Sequence, residues 1–272
     1  MKPIAVIEVV GVFILNWTIL ALAALSPLGK WERQVTGRFF FIEYALIISV
    51  TLLILVVTRR NLASYGISLR NFRYHLDIAA TAFLPVALGF LPIAFIGDNH
   101  KQWWGSLIMV GVTIVELYFL GWLLSRKPTR NESGLVIGAL LLIPFLNLAQ
   151  SAPLDNPLSG FVYYIFFLGF GEELLFRGYI QSRLNEAWGR PFKFFGVSWG
   201  WGLVIASIIF GLMHVINIGS LINGNWQLEP WWGLWTFFGG LVNGFVREKT
   251  GSIVAPAILH GLPQAISTAL GF

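Results

Sequence analysis

The sequence predicts an all-α protein, a polytopic transmembrane bundle of about eight or nine helices that forms a single domain over residues 1–272. Three observations predict this class. Apolar residues make up 56% of the 272 residues and charged residues only 11%, whereas soluble domains carry about 25% charged residues. Charge-poor stretches recur along the whole chain. At about 20 residues per span, this length holds eight or nine helices and leaves no room for a soluble domain.

Each predicted span is an apolar stretch that ends at a charged or turn-forming segment. The first resembles a signal peptide, but its apolar run is long and the basic loop follows it, so we predict a retained helix. Residues 61–75 are basic and mixed, which favours an interfacial segment. Two GxxxG pairs, Gly134/Gly138 and Gly240/Gly244, predict close helix packing. The predicted spans are 4–25, 38–58, 77–97, 105–125, 134–150, 159–182, 200–218, 230–246 and 252–270.

The basic residues between the spans predict the orientation. With nine alternating helices and a cytoplasmic N-terminus, 13 Lys and Arg residues lie on the cytoplasmic side and four on the other side. The positive-inside rule therefore predicts a multi-pass integral membrane protein whose N-terminus is cytoplasmic. The net charge of +5 has the same explanation, together with contact to anionic lipid. We therefore expect the lipid bilayer as a partner and no nucleic acid.

Ionisable groups deep inside the spans are the candidate functional residues. On insertion scales each charged residue costs about 2.5–3.5 kcal/mol at the centre of a span, so each needs a structural or chemical reason to be there. Glu116 stands alone in its span, and we interpret it as a hydrogen-bonded buried acid or as a residue on the substrate path. The deep ionisable residues are Glu116, Glu172, Glu173, Arg177, His214 and His260.

Glu172 and Glu173 have different expected environments because neighbouring helical residues point about 100° apart. Glu173 and Arg177 stand at i, i+4 on one face, which predicts a structural ion pair. Glu172 then faces another helix without that partner. Two adjacent carboxylates in a dry site titrate as a coupled pair. Such an arrangement suits either a general base or a proton-coupled transporter, and the spacing does not decide between them.

Other reaction classes have little support in the sequence. The chain has no cysteine, which excludes thiol nucleophiles, disulfides and cysteine-ligated metals. It has no P-loop, so nucleotide chemistry is not indicated, and we do not expect serine chemistry. Two His and two Glu residues could together bind zinc, but no H-E-x-x-H motif occurs. We therefore predict no metal and no cofactor, with a zinc site as a minor alternative.

Three short motifs occur in order in the last third of the chain, each inside a predicted span. They are Glu172-Glu173-x-x-x-Arg177, Phe210-x-x-x-His214 and His260-x-x-x-Gln264. As a set they resemble the E-E-x-x-x-R, F-x-x-x-H and H-x-x-x-N/D motifs of the CPBP family, the CAAX proteases and bacteriocin-processing enzymes also called the Abi family, in its Rce1-like form. The resemblance places the catalytic core at about 159–270. The departure is Gln264, where the family has Asn or Asp.

The resemblance implies an intramembrane endopeptidase that hydrolyses a peptide bond near the membrane with glutamate-activated water and no metal. By position, Glu172 would activate the water with help from His214. His260 and Gln264 would stabilise the oxyanion, for which a low-dielectric cavity with placed donors is suitable.

The resemblance also implies supporting roles and a partner. Glu173 would belong to the catalytic set while pairing with Arg177, and Phe210 would be a supporting residue. The expected partner is a peptide or protein substrate with a membrane-embedded or lipidated segment. The alternatives that stay open are a non-catalytic membrane scaffold, immunity or transporter-like protein of the same fold, and a zinc-dependent membrane protease.

Overall fold

The chain forms nine helices and one short β-hairpin within the residues that the computed structural model describes, which are 2–37, 39–126, 134, 137–138, 142, 156–216 and 227–270. We number the elements in chain order. The helices are α1 Lys2–Leu25, α2 Pro27–Thr36, α3 Phe41–Val57, α4 Phe72–Phe90, α5 Trp103–Ser125, α6 Pro157–Trp188, α7 Trp201–Val215, α8 Pro230–Thr250 and α9 Val254–Leu270, and the strands are β1 Phe192–Phe194 and β2 Val197–Trp199. A turn of helix at Ile93–Ile96 and a 3-10 turn at Gly97–Lys101 connect α4 to α5.

The predicted helical membrane fold is confirmed. Three helices, α1, α5 and α6, are long and apolar enough to cross a bilayer, and α3 and α7 are shorter apolar helices. Eight predicted spans coincide with α1 and α3–α9, whereas 134–150 lies almost entirely outside the described residues. Because α8 ends in charged residues and α9 has only 17 residues, the count of eight or nine spans stays a prediction.

Helix α6 departs from regular α-helical geometry on both sides of the two glutamates. Two stretches with i→i+5 hydrogen bonds, Tyr163–Gly169 and Leu174–Gln181, flank the α-helical turn Phe170–Glu173. Such π-helical segments are rare and are often found at functional sites. The sequence predicted an ordinary helix here, because apolar periodicity does not distinguish the two geometries.

Glycines bring the helices that carry the motifs into close contact. A Cβ at Gly169 of α6 would meet the carbonyl oxygen of Ala257, and one at Gly261 of α9 would clash with the carbonyl oxygen of Tyr164. This pair of glycines lets the backbones of α6 and α9 touch, which brings His260 beside the α6 glutamates.

The two predicted GxxxG pairs have different surroundings. Gly240 of α8 lies against Ser207 of α7, and Gly244 lies against Leu203 of α7 and Gln181 of α6, so this pair packs closely as predicted. A Cβ at Gly134 or Gly138 would meet nothing within 4 Å among the described residues.

Two elements were not predicted from the sequence. Helix α2 follows α1 directly, with the Ser26 side chain accepting a hydrogen bond from the Gly29 amide at its N-terminus. Strands β1 and β2 form an antiparallel hairpin whose turn residues, Phe195 and Gly196, both have positive φ, the geometry of a tight two-residue hairpin turn. The aromatic residues of this segment gave no clear turn signal.

Candidate active site

Glu173 and Arg177 form a fully buried ion pair on α6. Arg177 Nη1 lies 2.9 Å from Glu173 Oε1, and neither side chain is exposed. The guanidinium also donates to the carbonyl oxygen of Gly240 on α8 at 3.1 Å. Since α8 supplies a second donor to Glu173 Oε1, Asn243 Nδ2 at 3.3 Å, the pair joins α6 to α8. The i, i+4 spacing predicted this contact.

Glu172 faces α3 instead of α8. Its Oε1 accepts a hydrogen bond of 2.6 Å from the hydroxyl of Tyr44, while its buried Oε2 has no hydrogen-bond partner among the described residues. The ring of Tyr163 packs edge-on against Tyr44 at 5.7 Å. One carboxylate oxygen is therefore fixed, and the other keeps free lone pairs.

His260 lies between the two glutamates. Its Nδ1 is 2.9 Å from Glu173 Oε1, and its Nε2 is 3.5 Å from Glu172 Oε2. A ring protonated on both nitrogens satisfies both carboxylates, whereas a neutral ring donates to only one of them. His260 is thus placed to exchange a proton with Glu172 while Glu173 fixes the orientation of its ring.

Phe210 and His214 complete the second motif on α7. His214 Nδ1 is 2.8 Å from the carbonyl oxygen of Phe210. A carbonyl can only accept, so Nδ1 carries the proton and Nε2 of the neutral ring is an acceptor. The Phe210 ring lies 4.5 Å from the His214 ring and 4.6 Å from the Arg177 guanidinium carbon. These two contacts explain why Phe210 belongs to the motif.

A cavity of about 110 Å³ opens beside these residues, lined by α4, α5, α7, α8 and α9. His214, His260, Gln264 and Asn243 contribute polar atoms to its wall. The buried Oε1 of Gln264 has no hydrogen-bond partner among the described residues, and Nε2 is the atom of this amide that can donate to a group in the cavity. Glu172 does not line the cavity, because His260 stands between them.

The structure brings all the residues of the three motifs into one region, together with Asn243, and it adds Tyr44, which the sequence did not single out. Tyr44 gave no signal because tyrosines are common in membrane helices. The only indication for Asn243 in the sequence was that it is a polar residue inside a predicted span. Within the described part of the chain, no group of three or more His, Cys, Asp or Glu side chains is placed to hold a metal ion.

Residues 154–266 match the family model of the type II CAAX prenyl endopeptidases, Rce1-like. This region is similar to the Rce1-like family. The Rce1-like region contains all three motifs, and Tyr44 lies outside it. No curated protein and no solved structure matches the chain.

The Rce1-like region, together with the long apolar helices, identifies the chain as an integral membrane protein with a protease-type domain. The family supports a CAAX-type intramembrane protease, which is a hydrolase. The resemblance to this family that the three motifs indicated is thus confirmed, without assigning a role to any residue. The role of each residue belongs to the proposal that follows.

Proposed function

We propose that this protein is an intramembrane endopeptidase in which Glu172 activates a water molecule without a metal. The observation that carries the proposal is the free Oε2 of Glu172, which faces His260 at the edge of a cavity that His214 and Gln264 line. A general base needs a free lone pair within reach of the water, directly or through one intermediary. Tyr44 holds the other oxygen, so the base has a fixed orientation.

The reaction needs one proton acceptor and one water in the cavity. Water attacks the carbonyl carbon of the scissile bond, its proton goes to Glu172, and Nε2 of His214 accepts a hydrogen bond from the other hydrogen of the water on the cavity side. When the tetrahedral intermediate collapses, the carbon–nitrogen bond breaks and the proton passes to the leaving amine. Nε2 of His260 lies 3.5 Å from Glu172 Oε2, so the attacking water would occupy the space beside these two side chains at the edge of the cavity.

Two groups are proposed to stabilise the oxyanion. One is the NH₂ end of Gln264, a residue of the cavity wall. His260 supplies the second donor, Nε2–H, when Glu172 engages the water. Donors placed in advance in a cavity that excludes bulk water are worth more than donors in water. Glu173 and Arg177 support the site by fixing the His260 ring.

The proposed substrate is a peptide or protein with a membrane-embedded or lipidated segment. The Rce1-like match supports this class, because the family is described as prenyl endopeptidases. The proposed core at 159–270 contains α7, α8 and α9 and most of α6. The rest of the single proposed domain contributes through α3, which carries Tyr44, and through α4 and α5, which line the cavity.

The proposal is tested by cleavage of membrane-anchored peptides by purified protein in detergent. Glu172→Gln keeps the size of the side chain and removes the base, so hydrolysis should fall by about 10²-fold or more. Glu186→Gln is the matched control, because Glu186 is half exposed at the far end of the same helix. Equal activity of Glu172→Gln and wild type would refute the role of Glu172.

The same preparation separates the proposal from its two alternatives. Stoichiometric zinc, with activity lost to a chelator and restored by zinc, would favour a zinc protease. A folded wild-type protein that cleaves none of a broad set of lipidated and unlipidated membrane peptides would favour the scaffold or transporter-like alternative. Cleavage in metal-depleted buffer supports the metal-free mechanism.

A further inference from the structure

Glu116 of α5 is a buried acid on the wall of the cavity, and none of the three motifs includes it. Only 9% of the surface of this residue is exposed. Its carboxylate makes no hydrogen bond and no ion pair with any described residue. The described residues therefore supply no hydrogen-bond partner for this acid, and its interpretation as a hydrogen-bonded buried acid stays a prediction. Glu116 also lies outside the region that matches the Rce1-like model.

The opposite helix leaves space for this carboxylate. A Cβ at Gly89 of α4 would clash with Oε2 of Glu116. Glycine inside a helix costs about 0.5–1 kcal/mol relative to alanine, so Gly89 needs a local reason. The structure offers such a reason. The carboxylate of Glu116 lies against Gly89 at the wall of the cavity, and a side chain at position 89 would displace it.

Aromatic rings frame the same part of the cavity. Phe90 packs edge-on against Trp235 at 5.4 Å, and Trp232 lies 4.7 Å from Trp235. The indole N–H of Trp235 is engaged by Thr113 Oγ1 at 3.1 Å, so it does not serve Glu116. Indole faces next to a carboxylate are the environment that binds organic cations.

The cations near this wall have other partners. Arg177 is bound to Glu173. Lys101, which lies 5.9 Å from the Trp232 ring, pairs with Glu229 at 3.2 Å. Among the described residues, Glu116 therefore has no counter-charge, and a cationic ligand would supply one in a place where an unpaired charge is costly.

We propose that Glu116, with the rings of Trp232, Trp235 and Phe90, forms a subsite for a lysine or arginine side chain of the substrate. The inference rests on the proposed protease function, because it assigns the substrate class of the same cavity. The volume of about 110 Å³ limits the subsite to one side chain, with the lipidated segment elsewhere.

Binding tests the subsite without any cleavage. The probe is n-butylammonium chloride, which is the lysine side chain without its backbone, and the readout is thermal unfolding of the purified protein in detergent. We expect n-butylammonium to raise the melting temperature more than n-butanol or sodium chloride at equal concentration. Glu116→Gln should abolish the difference, and Glu186→Gln should keep it. Glu116→Gln removes an unpaired charge, so it should fold at least as well as wild type.

Cleavage then tests the substrate class. The substrates are pairs of membrane peptides. The two members of a pair differ only in having lysine or norleucine at one position near the cut, and each successive position is tested with its own pair. We expect one position where lysine gives about ten-fold higher kcat/KM in wild type and no advantage in Glu116→Gln. Equal stabilisation by n-butanol, or the same preference in Glu116→Gln, would overturn the subsite. Charge-specific binding without any cleavage would support the subsite and overturn the proposed protease function.

Discussion

Substitution of Glu173 tests how the buried ion pair contributes to the fold. Glu173→Gln leaves Arg177 charged at a position with no exposure, where its described neighbours include the Gly240 carbonyl and the rings of Phe176 and Phe210 but no carboxylate hydrogen-bonded to it. Removing one partner of a buried pair costs about 3–5 kcal/mol, since the other charge stays buried and unpaired. The free energy of unfolding should fall by that amount, measured by SDS titration in mixed micelles.

The double variant distinguishes a stranded charge from a lost contact. Glu173→Gln/Arg177→Met removes both charges and fills the space with an apolar chain, so it should be more stable than Glu173→Gln alone. Glu186→Gln, whose side chain is 50% exposed, should change stability by no more than about 1 kcal/mol. A loss below about 1 kcal/mol in Glu173→Gln, or strictly additive losses in the double variant, would refute the reasoning.

Three further predictions follow from single contacts. Gln264→Leu should lower kcat by about 10²–10³-fold with little change in KM, while Gln264→Asn should keep most activity. Steady-state kinetics measure both variants, and full activity of Gln264→Leu would exclude the oxyanion role. Tyr44→Phe removes the 2.6 Å hydrogen bond to Glu172 and should reduce kcat more than KM, whereas an effect on KM alone would contradict a role in positioning the base. Burial and the neighbouring Glu43 raise the pKa of Glu32 from 4.5 to about 7, so the folded state retains a proton that the unfolded chain releases. Stability should thus be highest below about pH 4.5 and fall as the pH rises through about 7; Glu32→Gln should flatten this trend in thermal unfolding curves, and a flat wild-type curve would contradict it.

Local spacing was sufficient for part of the site. The i, i+4 rule predicted the contact between Glu173 and Arg177, and the 100° offset predicted that Glu172 faces a different helix. The apolar stretches predicted where eight of the helices lie, because lipid requires long apolar segments whatever their packing. The cytoplasmic position of the N-terminus stays a prediction.

Contacts between distant segments were not accessible from the sequence. The hydrogen bond between Tyr44 and Glu172 joins residues 128 positions apart, and nothing local distinguishes Tyr44 from other tyrosines. The bridging position of His260 depends on the close approach of α6 and α9 at Gly169 and Gly261. The same is true of Glu116, whose exposure to the cavity depends on Gly89 of another helix.

The expectation about Glu172 also changed in a physical detail. The resemblance implied that Glu172 and His214 act together on one water, whereas the structure places the carboxylate of Glu172 behind His260 and outside the wall of the cavity that His214 lines. The bridging geometry gives His260 contacts with both carboxylates, which a role as oxyanion donor alone does not require. We therefore propose that Glu172 and His260 act as one unit in proton transfer.

Product labelling in ¹⁸O water tests the central claim most directly, that Glu172 activates water without becoming covalently bound. Metal-depleted wild type should place one ¹⁸O atom in the new carboxylate of the N-terminal cleavage product, and none in the C-terminal product or the Glu172 side chain, as measured by mass spectrometry. Glu172→Gln should form about 10²-fold less labelled product or still less. Appearance of ¹⁸O in Glu172, or equal product from Glu172→Gln, would contradict the account.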